Sequence, residues 1–543
     1  MILRTAYGLV LLLTPPEAND PAGAAVLEGV EALGAPAPEV PQVPEVPEVP
    51  EVPDEAVLTS TVTGYLESRG SYTETRPEGL VSTADTPTWM NLTEANVQLR
   101  LAWREAGFVL GDASFFFQKA GRFFDSDGSG SVVEVPDHDV PALRPLAVIN
   151  ELYGSYNLGE HAHLTLGKKR IVWGPGLAFN PTDLINPPKD PTDPTFQRAG
   201  AWLLRAEFPF ETFTLSVVGA AQVLRQYGGV PAGLGVYPGY PTREAAAGAA
   251  LGPAGATAFP DDRDRSAHYA LAARAYALWL DTDINLFFFF THLYGDAFKY
   301  KPRAGASVSR ILGGALEVHA EALGQLGSAR NYVNDICYLD LGALQTCAAQ
   351  GRLLQTSRLT SQAVTVRALA GATYTFSNDA LLAVENLYNG DGYETEAFQD
   401  VGRLLGISTL ARRRGLAVPL PGTTGGDPGS PQKFAVSYQR QHYVFLTFTQ
   451  PRILDDITLT GVVLLNAQDL SGVVAPQVVW SVRDWLNLSL FAFGIFRGPE
   501  SVRTEATLTL PTSAGAMTAG SKVSEFSVAP LDWRVLVSAR IFY

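Results

Sequence analysis

The residues of this chain with the clearest chemical potential are charged side chains at alternate positions of otherwise apolar segments. Such alternation places the charged and the apolar side chains of a β-strand on opposite faces. Charges without partners are costly in a dry interior, whereas a water-filled channel tolerates them and uses them to select ions. The alternative is that they pair with one another and stiffen a wall. The set comprises Arg100, Arg205, Glu207, Arg274, Glu317, His319, Glu321, Arg367, Glu385, Arg534 and Arg540.

A second charged group could generate an electric field across a narrow passage. Three bases at the end of one apolar segment precede a connection, 173–197, that carries three acids. If acids on this loop face bases on a wall, the field selects permeating solutes by charge and dipole. The alternative is a proline-stiffened loop on the outer surface. The six residues are Lys168, Lys169, Arg170, Asp183, Asp190 and Asp193.

Catalytic motifs are missing from the sequence. It has no GxSxG elbow, no phosphate-binding Walker loop, no HExxH pair and no GxGxxG between a strand and a helix. The histidines are scattered, and only His138, between Asp137 and Asp139, has flanking acids. We therefore expect neither an enzyme nor a cofactor.

One acidic segment resembles the start of a calcium-binding loop. Asp125, Asp127 and Ser129 place oxygens at alternate positions, followed by Gly130. The position that needs a bidentate carboxylate is occupied by Pro136. This mismatch favours a flexible acidic tip over a metal site.

The two cysteines, Cys337 and Cys347, lie close together in a polar segment. In an exported protein such a pair is expected to form a disulfide that orders its loop by about 2–3 kcal/mol. The alternative is two idle thiols. Paired CxxC motifs, which would indicate zinc, are missing.

Composition and charge narrow the class of protein. Only 17% of the residues are charged, while 51 glycines and 20 tyrosines are present, which suits a surface that meets lipid on one side. The net charge of −15 argues against nucleic-acid binding. We expect a signal peptide at 1–18 and an acidic, proline-rich linker at 19–56. A membrane barrel would occupy 57–543.

From residue 57 onward, apolar residues alternate with polar ones in segments of strand length. Alternation alone also fits a soluble sandwich, but the connections alternate between short and long, as in transmembrane barrels. The predicted fold is an all-β, antiparallel, up-and-down transmembrane barrel of about 18 strands, with 16 left open. Short turns face the periplasm and long loops the exterior. The last predicted strand places on one face Trp533, Val535, Val537, Ala539, Ile541 and Tyr543.

Two segments carry a family resemblance. The final residues, RVLVSARIFY, resemble the C-terminal strand of Gram-negative outer-membrane proteins, although Phe is the usual last residue there. Residues 164–187 are similar to a porin-like strand and loop motif, G-K-x-x-x-x-W-G followed by N-P-x-D. The resemblance implies recognition of the last strand by the barrel-assembly machinery. It also implies, by analogy with general porins, that connection 173–197 folds into the pore.

These observations predict an outer-membrane channel for passive diffusion of small hydrophilic solutes. The alternative is an anchor or assembly barrel whose lumen is occluded and whose loops or proline-rich arm bind a partner. The other expected contacts are membrane lipid and lipopolysaccharide, whose phosphates could meet Arg412, Arg413 and Arg414. A homotrimer is left open.

Overall fold

The computed structural model describes most of the chain after residue 57. The predicted signal peptide and the proline-rich linker lie outside the described residues, as does His138. The described ranges are 58–75, 87–103, 107–126, 131–135, 146–186, 200–223, 267–291, 301–326, 331–333, 346–347, 354–356, 364–390, 392–400, 440–497, 502–509, 516–526 and 531–543.

The described residues are almost all β-strand, since short segments of alternating apolar and polar residues favour that conformation. A short helical segment, 395–400, is the longest helix among them. The strands are β1 Thr59–Thr75, β2 Pro87–Trp103, β3 Gly107–Ser126, β4 Val132–Val135, β5 Leu146–Asn157, β6 His163–Lys169, β7 Ala201–Pro209, β8 Phe213–Val223, β9 Ala267–Trp279, β10 Thr282–Thr291, β11 Lys301–Leu312, β12 Leu316–Leu326, β13 Asn331–Val333, β14 Leu354–Thr356, β15 Val364–Thr375, β16 Leu381–Asn389, β17 His442–Ile453, β18 Ile457–Asn466, β19 Gly472–Arg483, β20 Leu486–Phe496, β21 Val502–Thr509, β22 Ala516–Val523 and β23 Leu531–Phe542.

Eighteen of these strands form one closed antiparallel sheet. Going round the barrel, β1, β2 and β3 are followed by β5 to β12, β15 to β20 and β23, and β23 pairs with β1. Among the described strands, β4 pairs only with β3, while β13–β14 and β21–β22 form separate hairpins. The barrel prediction is confirmed, at eighteen strands rather than sixteen.

The two ends of the barrel differ in their connections. At one end, called here the turn end, β9 reaches β10 through Leu280 and Asp281 alone. Both residues have positive φ, +50° and +57°, the backbone twist that a two-residue hairpin needs. The opposite end is called the loop end, and the first strand begins and the last strand finishes at the turn end.

The two faces of the wall have opposite chemistry. Large apolar side chains project outward, such as Leu286, which is 59% exposed, and Val537, which is 57% exposed. Inward-facing positions hold charged residues such as Glu321, Glu385 and Arg540, all buried. Within hydrocarbon, a sheet satisfies all of its backbone N–H and C=O groups only when it closes on itself. With an apolar exterior, this makes the chain an integral outer-membrane barrel of Gram-negative type.

None of the helical residues described forms a helix long and apolar enough to cross a membrane.

The last strand closes the barrel, and its predicted apolar row lies on the outside. Trp533 is 41% exposed and Ile541 is 43% exposed, and Val535 and Ala539 occupy the same face. The hydroxyl of Tyr543 donates to the backbone oxygen of Asn96, at 2.8 Å. Its role as an assembly signal stays a prediction.

A charge placed midway along the lipid-facing surface should destabilise the folded barrel. Leu286 lies at the middle of β10 and faces outward, so Leu286→Arg should cost about 2–4 kcal/mol of folding free energy in lipid. Leu454 is 82% exposed in a turn beyond the strands, so Leu454→Arg should change this value little. Urea titration of both variants in bilayers measures the difference, and equal destabilisation would contradict the membrane placement of β10.

Candidate functional site

The connection that follows β6 does not stay on the outer surface. Within segment 171–186, Ile171, Trp173, Phe179 and Ile185 are each no more than 3% exposed. The ring of Phe179 lies 6.2 Å from that of Tyr443, on the inward face of β17. The segment therefore lies inside the barrel.

This segment reaches the opposite wall of the lumen. Strand β6 is the fifth strand around the barrel and β17 is the fourteenth. Nine steps in a ring of eighteen correspond to half the circumference. The part of the connection that is described, 171–186, is called here the crossing segment.

Glu385, on β16, is the principal polar anchor of the crossing segment. Its carboxylate accepts backbone N–H groups from Leu177, from Ala178 at 2.9 Å and from Phe179 at 3.2 Å. Nε2 of His319 lies 3.1 Å from the same carboxylate. Charge-assisted bonds of this kind are about twice as strong as neutral ones. One wall side chain thus satisfies three successive donors of a buried loop.

Glu321, on β12, provides a second polar anchor for the crossing segment. Its Oε1 accepts the N–H of Gly176 at 2.7 Å, and its Oε2 accepts the hydroxyl of Thr182 at 2.7 Å. The space available requires glycine at 176, because an added Cβ would collide with the backbone oxygen of Phe179. The alternating pattern of charges predicted that both glutamates face inward, but not that they bind a loop.

Apolar contacts complete the docking. The ring of Trp173 lies 5.8 Å from that of Phe287 and 5.7 Å from that of Phe289, both on β10. On the far side, Leu177 and Phe179 join a buried cluster on the inner wall. The crossing segment is therefore held by aromatic packing against β10 and β17 as well as by the two carboxylates.

The predicted bases at the end of β6 lie near the start of the crossing segment. Nζ of Lys168 donates to the backbone oxygen of Ile149 at 2.5 Å. Nζ of Lys169 lies 4.6 Å from the centre of the Tyr153 ring. The backbone N–H of Arg170 donates to the carboxylate of Glu151, at 2.8 Å.

Of the three predicted loop acids, only Asp183 belongs to the described residues. It is 8% exposed and accepts a hydrogen bond from Nδ2 of Asn186, at 2.7 Å. Asp190 and Asp193 lie outside the described residues. The transverse field between loop acids and wall bases stays a prediction.

Several predicted lumen charges have partners within the wall. Arg205 and Glu207 form a buried ion pair on β7, and Ser216 donates to the same carboxylate at 3.0 Å. Nε of Arg274 donates to the side-chain oxygen of Asn285, at 2.7 Å. These contacts agree with the wall-stiffening interpretation.

Other predicted charges are half-buried and face the lumen. The guanidinium of Arg100 stacks on Phe108 at 4.7 Å, and Nε of Arg534 donates to Thr73 at 2.9 Å. Glu317 lies 3.8 Å from Nδ1 of His319. Arg367 is likewise half-buried, on β15.

A buried ionic network joins the first and last strands. NH2 of Arg540 lies 2.5 Å from Oε2 of Glu67, and Arg69 contacts both Glu67, at 2.9 Å, and Glu94, at 2.7 Å. The hydroxyl of Tyr65 donates to Glu94 at 2.6 Å. Of these residues, the alternating pattern of charges had indicated Arg540 alone. The alternate charges of β1 were the signal that could have added Glu67 and Arg69.

The remaining predicted sites are only partly described. Cys347 is disulfide-bonded, and Cys337 lies outside the described residues. Asp125 belongs to β3, whereas Asp127 and Ser129 lie outside. The residues that the structure describes contain no group of three or more metal-binding side chains.

Comparisons with known proteins give structural likenesses only. No family model matches the chain, and no curated protein matches it. Among solved structures, OccK8 (OprE) of Pseudomonas aeruginosa is similar with a TM-score of 0.42 and 8% identity, over 89% of this chain and 98% of that one. OccK7 (OpdD) of the same organism gives 0.41 and 9%, over 89% and 98%.

A third similar structure is OmpF of Salmonella typhi in complex with daunomycin, with a TM-score of 0.35 and 7% identity, over 89% of this chain and 97% of that one.

Proposed function

We propose that this barrel is an outer-membrane channel for passive diffusion of small hydrophilic solutes, narrowed by the crossing segment. The observation that carries the proposal is a closed wall with an apolar exterior and charged side chains on its inner face. Such an interior is expensive to build unless water or solute meets it.

The half-buried charges on the inner face are stronger evidence for a hydrated passage than the fully buried charges are. Arg100, Glu317, Arg367 and Arg534 all face inward and keep part of their surface accessible. Ionised groups in this position attract or repel a permeating solute directly. By contrast, the buried pair of Arg205 and Glu207 is satisfied within the wall.

A second candidate function is an anchor or assembly barrel with an occluded lumen. The observation in its favour is a buried apolar cluster on the inner wall, which includes Phe445, Leu464 and Phe493 together with Phe179 of the crossing segment. A wholly hydrated lumen would not bury these side chains so completely.

Conductance of the purified protein in planar lipid bilayers distinguishes the two. We expect discrete open steps on the nanosiemens scale, because a closed barrel of this strand number encloses a wide interior. Bilayers that stay silent after verified insertion would favour the occluded anchor. Reversal potentials in a salt gradient then report ion preference, and neutralising Asp183, Asp190 and Asp193 together tests the transverse field.

We further propose that β23 is recognised by the barrel-assembly machinery, and that the exterior contacts lipid and lipopolysaccharide. The outward row of Trp533, Val537 and Ile541 supports the first part. Deleting Tyr543 should reduce the amount of folded barrel in the outer membrane, measured by heat-modifiable gel mobility. A homotrimer stays open, and chemical crosslinking tests it.

A further inference from the structure

A second segment enters the barrel from the loop end. Residues 524–526 follow β22, and Ser524, Glu525 and Phe526 are 0%, 4% and 2% exposed. The three residues form the base of the hairpin of β21 and β22 on its C-terminal side. They are called here the docked base.

Glu525 anchors the docked base to the barrel wall by hydrogen bonds. The hydroxyl of Tyr443 donates to Oε1 of Glu525 at 2.5 Å, and Nδ2 of Asn466 donates to Oε2 at 2.6 Å. The backbone N–H of Glu525 donates to Oδ2 of Asp469 at 2.8 Å. The anchor thus joins the docked base to β17, to the end of β18 and to the connection between β18 and β19.

The docked base also contacts the region that holds the crossing segment. Phe526 belongs to the same buried cluster as Leu177 and Phe179. Tyr443 links the two directly, since its ring lies 6.2 Å from that of Phe179 while its hydroxyl bonds Glu525. Movement of the docked base would therefore change the packing around the crossing segment.

The polar and charged groups around Glu525 have opposite effects on the ionisation of its carboxyl group. Asp469 repels its carboxylate, whereas Arg440, the hydroxyl of Tyr443 and the amide of Asn466 favour its ionised form. Arg440 also bonds the backbone oxygen of Glu394, at 3.2 Å. Burial dominates and, with Asp469, raises the pKa of Glu525 to about 7.

We propose that Glu525 is a proton-operated latch, which holds the docked base inside the loop-end mouth when protonated and releases it when ionised. Because the folded-state pKa is raised, docking is favoured fully at low pH. That stabilisation is lost as the pH rises from the ordinary pKa of a glutamate to above the raised pKa of about 7. The expected change in conductance rests on the proposed channel function, whereas release of the docked base does not.

Hydrogen exchange tests the release without reference to transport. The N–H groups of Glu525 and Phe526 are bonded to Asp469 and Ser471 in the docked state. In the full-length protein, we expect their protection, corrected for the intrinsic pH effect, to fall about tenfold between pH ~6 and ~8.5. The variant Glu525→Gln should keep protection at both values. The matched control, Asp532→Asn, changes an exposed carboxylate and should respond like the wild type.

A second variant fixes the sign of the effect. Removing the Tyr443 hydroxyl takes away a donor that favours the ionised carboxylate, so Tyr443→Phe should move the midpoint upward by about one pH unit. Wild-type protection that does not change with pH would overturn the latch. So would an unchanged pH response in Glu525→Gln.

Single-channel recording of the same proteins separates the two proposals. The wild type should conduct more at pH ~8.5 than at ~6, and Glu525→Gln should show the lower value at both. Silent bilayers combined with a pH-dependent exchange would overturn the channel and support the latch. Open steps that ignore pH, together with constant exchange, would overturn the latch and support the channel.

Discussion

Replacing Glu385 with alanine is expected to raise the open-channel current at least about twofold and to make it unsteady. The reason is that this carboxylate receives the backbone N–H groups of Leu177, Ala178 and Phe179 across the lumen. Without it, the crossing segment keeps the apolar contacts of Leu177 and Phe179 at that wall but loses the acceptor of three buried N–H groups.

The cost of unsatisfied hydrogen bonds favours release of this part of the crossing segment from the wall over a small local rearrangement. Each buried donor left without an acceptor costs about 1–3 kcal/mol, so three together cost about 3–9 kcal/mol. Leaving the wall lets water satisfy all three. Glu321 still bonds Gly176 and Thr182, so we expect a segment that stays attached at one anchor and fluctuates.

Single-channel recording in planar bilayers measures the current and its noise. Glu317→Ala is the matched control, because Glu317 also faces the lumen but, within the described residues, it makes no hydrogen bond to the crossing segment. The control should alter ion preference with little change in noise. A Glu385→Ala channel with wild-type step size and noise would show that the crossing segment does not limit conduction.

The second large effect is expected where the last strand, β23, pairs with the first, β1, to close the barrel. Arg540→Ala should lower the free energy of unfolding by up to about 3–5 kcal/mol, because the buried carboxylate of Glu67 would lose Arg540 and keep Arg69, at 2.9 Å, as a charged partner. Glu67 is fully buried, and its Oε2 accepts both Nε and NH2 of Arg540, at 3.1 and 2.5 Å. Heat-modifiable gel mobility and urea titration measure the loss.

Two comparisons make this prediction specific. Arg534→Ala removes a half-buried arginine from the same face of β23 and should cost clearly less. The double variant Glu67→Gln, Arg540→Ala should recover part of the lost stability, because it removes the buried negative charge of Glu67 together with the arginine. If the double variant is less stable than Arg540→Ala alone, the ion pair is not the cause.

The sequence alone determined the type of wall. A period of two is a local property, and it sets which side chains share a face before any partner strand is chosen. Apolar residues on one face, as at Val537 and Ile541, together with charges on the other, indicated a barrel that is apolar outside and polar inside. The structure confirms this fold with eighteen strands.

Tertiary structure decided how the interior is filled. Leu177 and Glu385 are 208 positions apart in the chain, and nothing in either local pattern relates them. Their meeting depends on the strand number, which sets the width of the barrel, and on closure of β1 against β23. Contacts across a lumen follow from that global geometry. For this reason alternation predicted an inward-facing Glu385, while only the folded barrel showed that it holds a loop.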